Sequence, residues 1–290
     1  MKLSVKAFFD AQTSTLTYIV YDVASKDAII IDPVLNYDPN SGKISFDSLD
    51  EILRFVEMER LRPHFALETH AHADHLSSSH FLRQKFPGLK IGVGENIVKT
   101  QKFFKERFNL ASLKTDGAQF DRLFRDGEEE QAGSLSFKAL HTPGHTPACV
   151  SYLVGDAIFV GDTLFMPDFG TARVDFPQGS ASDLYHSIHK KLFVLPDETR
   201  VFVGHDYQPG GRDLEFETTI GRQKADNIQI NASVSKENYI KFRAEKDATL
   251  AAPKLLLPAI QVNIDGGKLP EPAGNGVRYL KIPLIIEDKQ

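Results

Sequence analysis

The stretch ETHAHADHLSSSH, residues 68–80, sets three imidazoles and a carboxylate within six positions: His70, His72, Asp74 and His75. Neutral imidazole and carboxylate are ligands of first-row transition metals, and a loop that merely joins two elements has no need of them. Three later segments carry the same chemistry: His145 in ALHTPGHTP, Asp162 in FVGDTLF and His205 in VGHDY. Each follows an apolar, β-rich run, which predicts a position at the C-terminal end of a strand. Side chains alternate along an extended segment, so His70, His72 and Asp74 are expected on one face, with His75 at the turn into a helix. Taken singly, His145 reads as a turn residue, Asp162 as a capping acid and His205 as uninformative. Together, four strand-end segments argue for one shared metal site. His64, His80, His186 and His189 are assigned no role. Cys149, in an apolar run four residues after His145, reads as a small core residue rather than a nucleophile.

The elements that must position these side chains are legible from periodicity. LTYIVYD (16–22) and DAIIID (27–32), separated by a short polar turn, predict a hairpin. Residues 47–61 carry apolar side chains at 49, 52, 53 and 56, the stripe of an amphipathic helix with Asp47 as its expected N-cap. HFALET (64–69) predicts a buried strand running straight into the histidine cluster, followed by a helix-compatible HLSSSHFLRQKF. Further strands are expected at 91–94, 135–141, 149–154, 157–162 and 199–206. Helices are expected at 96–108 and at 180–195, the latter capped by Ser180 or Ser182. One or two more helices and a tail punctuated by Pro and Gly complete the chain. Strands and helices mixed in this order predict a layered α/β protein, read as one domain over 1–290 with about 226–290 as a C-terminal extension packed on it.

Composition narrows the function classes. The 290 residues are 41% hydrophobic and 25% charged, the profile of an ordinary globular chain. A net charge of −5 and no Lys/Arg block argue against a nucleic-acid partner. No apolar run approaches the ~18 residues that span a bilayer, and the first residues lack the pattern of a secretory or organelle leader. One cysteine suits a reducing compartment. The expectation is a cytoplasmic protein without a membrane partner.

The ordered set His70, His72, Asp74, His75, His145, Asp162 and His205 resembles the metallo-β-lactamase superfamily, whose motif is H-x-H-x-D-H followed by separate His, Asp and His ligands. The likeness spans roughly residues 15–210. It implies an αββα sandwich, two mixed β-sheets flanked by helices, with metal at one edge between the sheets. IIIDP (29–33), with Asp32 ending an apolar strand, fits the second hairpin strand of that family. The secreted β-lactamases differ at the second metal, and the nuclease branches need a basic face. Two glutathione-linked branches remain. Glyoxalase II, a thioester hydrolase, carries a run of three histidines and a Trp in its motif. This chain has THAHADH and no Trp. ETHAHADHLSSSHFLR, HTPGHTPACVSYLV and VGHDYQPG look closely like the persulfide dioxygenase pattern, and the insertion around 166–176 resembles its bacterial branch.

In that family a single Fe(II) is held by two His and one Asp. By motif position the resemblance implies His70, His145 and Asp162, which would be both metal ligands and the catalytic centre. His72, Asp74, His75 and His205 would then orient ligands through hydrogen bonds. In the hydrolase alternative these same four residues complete a two-zinc site. The residues themselves are compatible with either arrangement. The implied reaction takes glutathione persulfide, dioxygen and water to sulfite and glutathione, a step in hydrogen sulfide oxidation, and a homodimer is expected. A third reading keeps the fold as a metal- or sulfur-binding regulatory protein without turnover. Glutathione carries two carboxylates, so Arg173, in the loop after Asp162, is the first substrate-binding candidate. Tyr207 and Arg222 follow it.

Overall fold

The computed structural model describes residues 2–286. Two six-stranded sheets lie face to face. In the first, Leu3–Asp10, Thr15–Asp22 and Asp27–Ile31 form an antiparallel meander. Arg62–Leu67, Lys90–Gly94 and Arg122–Phe124 then continue it in parallel. The second runs Glu129–Ala132, Leu135–His141, Val150–Val154, Ala157–Phe159, Arg200–Phe202 and Glu217–Thr219 in spatial order, with one parallel pairing between Ala157–Phe159 and Arg200–Phe202. A small third sheet pairs Val34–Asp38 with Lys43–Ser45 on one side and Leu76–Ser77 on the other.

Burial explains the layering. The inward faces of both sheets supply one core, in which Leu16, Ile29, Phe65, Phe137, Tyr152 and Phe202 interlock. Burying such side chains contributes about 1.5–3 kcal/mol each. The outer face of the first sheet carries Ile19, Ile30 and Ile91, which pack against Ile52 and Val56 of helix Asp47–Glu59 and Phe104 of helix Ile97–Arg107. Leu184, Ile188 and Leu192 cover the second sheet from the other side. Helix on sheet on sheet on helix is the αββα order expected above.

Several boundaries depart from expectation, each for a local reason. Asp47 is the first helical residue rather than the cap. Phe46 holds the capping position without a side-chain hydrogen bond, and Asp47 instead accepts from Ser45 Oγ at 2.7 Å. Ser180, not Ser182, caps its helix by accepting from the Asp183 N–H at 3.1 Å. That helix passes into a π-turn at Ile188–Leu192. The tail contains an unforeseen helix, Leu256–Asn263. Its Pro258 sits in the first turn, where no intrahelical N–H is needed, so proline there does not break it. The C-terminal segment shares the cores of the body. Ile230 and Tyr239 join the cluster that includes Leu184 and Ile188, with the Tyr239 ring 6.0 Å from that of Tyr185; Ile260 and Ile264 join the core under helix Asp47–Glu59, and Leu255, Ala259 and Val262 pack on Leu35 and Leu76. No helix among the described residues is long and apolar enough to cross a membrane.

Candidate metal centre

The strand Arg62–Leu67 ends two residues before Thr69, and 68–75 is a chain of bends rather than extended backbone. The expected alternation therefore fails: His70 and His72 do not present equivalent ring edges. Asp162 and His205 likewise stand three residues beyond the ends of their strands, Phe159 and Phe202. Two glycines let these loops meet. Gly161, at φ +49°, would place a Cβ 2.4 Å from Thr69 Oγ1, and a Cβ on Gly204 would lie 2.9 Å from the Gly161 carbonyl carbon. The Gly204 N–H donates to the Gly161 carbonyl at 3.0 Å, locking the Asp162 and His205 loops together.

His70, His145 and Asp162 each offer a ligand atom within 4.8 Å of the other two. Asp162 Oδ2 lies 3.6 Å from His145 Nε2 and 3.9 Å from His70 Nε2. Its other oxygen faces His205 Nε2 at 3.3 Å, and that same nitrogen lies 3.1 Å from Asp74 Oδ2. Four buried atoms at this point, His70 Nε2, His72 Nδ1, His75 Nε2 and Asp162 Oδ1, have no hydrogen-bond partner in the protein. Unpaired buried polar atoms are costly, and a cluster of imidazole nitrogens and carboxylate oxygens is the donor set of a first-row metal. The residues fit such an ion.

Hydrogen bonds behind the site set which nitrogen faces it. Thr69 Oγ1 gives its proton to Asp32 Oδ2 at 2.8 Å, so it can accept from His70 Nδ1 at 3.0 Å, leaving Nε2 as the free lone pair. His145 Nδ1 donates to the Arg173 carbonyl at 2.7 Å, which again frees Nε2. His72 donates through Nε2 to Asp32 Oδ1 at 2.9 Å, with Glu68 Oε2 at 3.5 Å, and its Nδ1 is the free atom. Ligating histidines are commonly oriented in this way. The electrostatics agree at His70, whereas at His72 they favour the doubly protonated ring, in which Nδ1 carries a proton. Burial, reinforced by His72 and His145, depresses the His70 pKa and keeps the ring neutral. Burial works against charge on His72 too, but Asp32 and Glu68 outweigh it and raise its pKa. Burial opposes charge on Asp74, yet His205 and His75 hold its carboxyl well below the usual range.

A cleft of about 840 Å³ opens onto the site, with Asp74, His145 and Asp162 in its floor. Tyr207 lies in its wall, its ring stacked on His205 at 5.5 Å between centroids and close to Phe169 at 4.8 Å. Arg173 also lines it, but its guanidinium is engaged: Nε and Nη2 donate to Asp175 at 2.5 Å and Nη1 to the Ala251 carbonyl at 2.6 Å. Arg222 is not brought to the cleft and sits on helix Ile220–Asp226, 3.8 Å from Asp226. Besides Arg243, which is paired with Asp247, two cations that sequence reasoning missed do line it, Lys246 and Lys254. Neither makes an ion pair among the described residues, and Lys246 lies over the Phe242 ring. Nothing in their spacing relates them to the motif, since they arrive from the C-terminal segment. Glu68 was missed as well, although it adjoins the motif. Cys149 is buried beside Thr146, and burial pushes its thiol up to about 12, which leaves it unreactive near neutrality.

Comparison with known proteins agrees with this geometry. The family model described as "Metallo-beta-lactamase superfamily" matches residues 12–205. A protein named glyoxylase B2 from Dictyostelium discoideum is 48% identical over 98% of this chain and 97% of its own length. The human mitochondrial persulfide dioxygenase ETHE1 is 32% identical over 82% of this chain and 85% of its own. Among solved structures, ETHE1 from Myxococcus xanthus superposes with a TM-score of 0.74 at 33% identity, covering 91% of this chain and all (100%) of that one. A metal-type donor cluster at the mouth of an αββα sandwich, and a family match over most of the chain, lead to one assignment: this chain belongs to the metallo-beta-lactamase superfamily.

Proposed function

We propose that this chain is an iron-dependent persulfide dioxygenase that converts glutathione persulfide, dioxygen and water to sulfite and glutathione in the cytoplasm, as a homodimer. The observation that carries this reading is the triad of His70, His145 and Asp162, whose ligand atoms all lie within 4.8 Å of one another. Two imidazoles and one carboxylate are the protein ligands of non-haem Fe(II) oxygenases. One Fe(II) per chain, held there, would supply open coordination positions and electron transfer to dioxygen. The chain's own residues do the rest. The Arg173 carbonyl and Thr69 hydroxyl aim the two imidazoles. Phe165, Phe169 and Tyr207 form an apolar wall that limits water near the reacting sulfur. Lys246 and Lys254 offer cations to the carboxylates of the carrier, a role that the engaged Arg173 guanidinium leaves open.

A second reading, a two-zinc thioester hydrolase, draws support from His75 Nε2, which is buried without a partner. The approach of Asp74, His205 and Asp162 to within 3.1–3.3 Å adds to it. The name of the 48% identical relative points the same way. Oxygen uptake separates the two. Protein purified anaerobically and loaded with iron is expected to consume dioxygen with glutathione persulfide and release sulfite. Hydrolysis of lactoylglutathione by the zinc-loaded protein, without oxygen uptake by the iron form, would overturn the dioxygenase reading.

A further inference from the structure

Asn263 stands 186–191 residues from the motif loop in sequence and within hydrogen-bond distance of it at three places. Its side-chain Nδ2 donates to the His72 carbonyl at 2.9 Å and to the His75 carbonyl at 2.8 Å. Its Oδ1 accepts from the Ser77 N–H at 2.8 Å. The loop follows no strand ladder between 68 and 75, so its buried carbonyls need partners from elsewhere. A carboxamide supplies two donors and an acceptor on one short stem. Aspartate has the acceptor alone, and alanine has neither.

The helix that delivers Asn263 is itself held rigidly against the loop. Ala259 and Val262 pack on Leu35 and Leu76, and Leu76 directly follows His75. Gln101 Nε2 donates to the Ile264 carbonyl at 2.9 Å. The turn beyond it brings Gly267, at φ +80°, so close that a Cβ would lie 2.8 Å from the Ser77 carbonyl oxygen. From inside the loop, Ser77 and Ser79 both donate to Glu68, which fixes the other side of the same bend.

We infer that Asn263 is a positioning residue of the metal centre: it holds the His72–Ser77 backbone in the shape that aims His72 and His75, making the C-terminal helix a working part of the site. A side chain that supports ligands in this way changes metal affinity by about 10–100-fold when removed. Linkage makes the effect reciprocal, so metal held by the loop must slow opening of the helix. The inference does not depend on whether iron or zinc is bound, nor on which reaction follows.

The test is release of iron, and separately of zinc, from the full-length loaded protein to an excess of chelator. Asn263→Ala and Asn263→Asp are expected to release metal about 10–100-fold faster than wild type. Gln261→Ala is the control, because Gln261 lies on the same helix but bonds Leu257 and Lys281 rather than the loop. It is expected to lower the melting temperature while releasing metal within about twofold of wild type. Wild-type release rates in both Asn263 variants, or equal acceleration in Gln261→Ala at matched stability, would overturn the inference. Should the Asn263 variants not fold, amide exchange in the wild-type protein decides. Metal loading is expected to slow exchange across 259–264 at least tenfold, and unchanged exchange there overturns the inference.

Discussion

The His145 imidazole donates from Nδ1 to the backbone carbonyl of Arg173 at 2.7 Å, so the Arg173 backbone orients a candidate metal ligand. The Arg173 guanidinium reaches away, forked onto Asp175 and bonded to the Ala251 carbonyl. It ties the loop after Asp162 to the C-terminal segment. Arg173→Ala is therefore expected to weaken metal affinity roughly tenfold, by loosening the loop that carries the carbonyl. Arg173→Lys should fail to restore it, because an ammonium cannot fork onto a carboxylate. Competition against a chelator measures this. Unchanged metal affinity with a raised KM would place the guanidinium on substrate instead.

Ligand substitutions divide the site. Under the one-iron reading, alanine at His70, His145 or Asp162 is expected to abolish iron binding. Alanine at His75 or His205 should lower affinity or rate ~10–100-fold without emptying the site. Plasma emission analysis of wild type should then give about one iron per chain, set by three-ligand facial coordination. Two zinc ions per chain, one of them lost in His205→Ala, would favour the hydrolase.

Lys246 and Lys254 give a test of substrate recognition that Arg173 does not. Each is exposed at the cleft, where an ion pair with a carboxylate contributes about 0.2–1 kcal/mol. Lys246→Ala and Lys254→Ala should each raise KM for glutathione persulfide by up to about fivefold, with kcat nearly unchanged. The double variant should lose most of the salt dependence of kcat/KM. Salt-dependent kinetics that persist in the double variant would remove these lysines from recognition.

Stability at low pH turns on Asp27, outside the candidate metal site. Burial acts to raise its pKa, but hydrogen bonds from His64 Nε2 at 2.7 Å and the Ser134 N–H at 2.8 Å outweigh it and hold the carboxyl below the usual range. Arg62 lies 3.0 Å away. A folded-state pKa below the unfolded value means the contribution is complete above the unfolded pKa, near 4, and fades as pH falls through the folded one. Wild type should therefore melt higher than Asp27→Asn at pH 7, with the gap closing as pH drops below about 4. A gap that stays constant from pH 7 to pH 3 would show that the Asp27 charge is not what stabilises this corner.

How far the sequence reaches is clearest at the candidate ligands. His70, His145 and Asp162 are legible as a candidate set because metal chemistry restricts residue type, and the structure brings their ligand atoms within 4.8 Å of one another. The hairpin, the helix Asp47–Glu59 and the two-sheet layering are legible for a similar reason: burial imposes periods of 2 and 3.6 on neighbouring residues. What the tertiary structure decided involves groups distant in sequence whose types carry no local signal. By charge and position Arg173 and Arg222 are substrate-binding candidates; the fold engages the Arg173 guanidinium with Asp175 and the Ala251 carbonyl and leaves Arg222 off the cleft lining. Lys246, Lys254 and Asn263 sit in a tail without motif, and folding alone carries them to the cleft and the ligand loop. Local patterning specifies elements and ligand chemistry; which hydrogen bonds each remote side chain makes depends on packing, and only the folded chain brings those partners together.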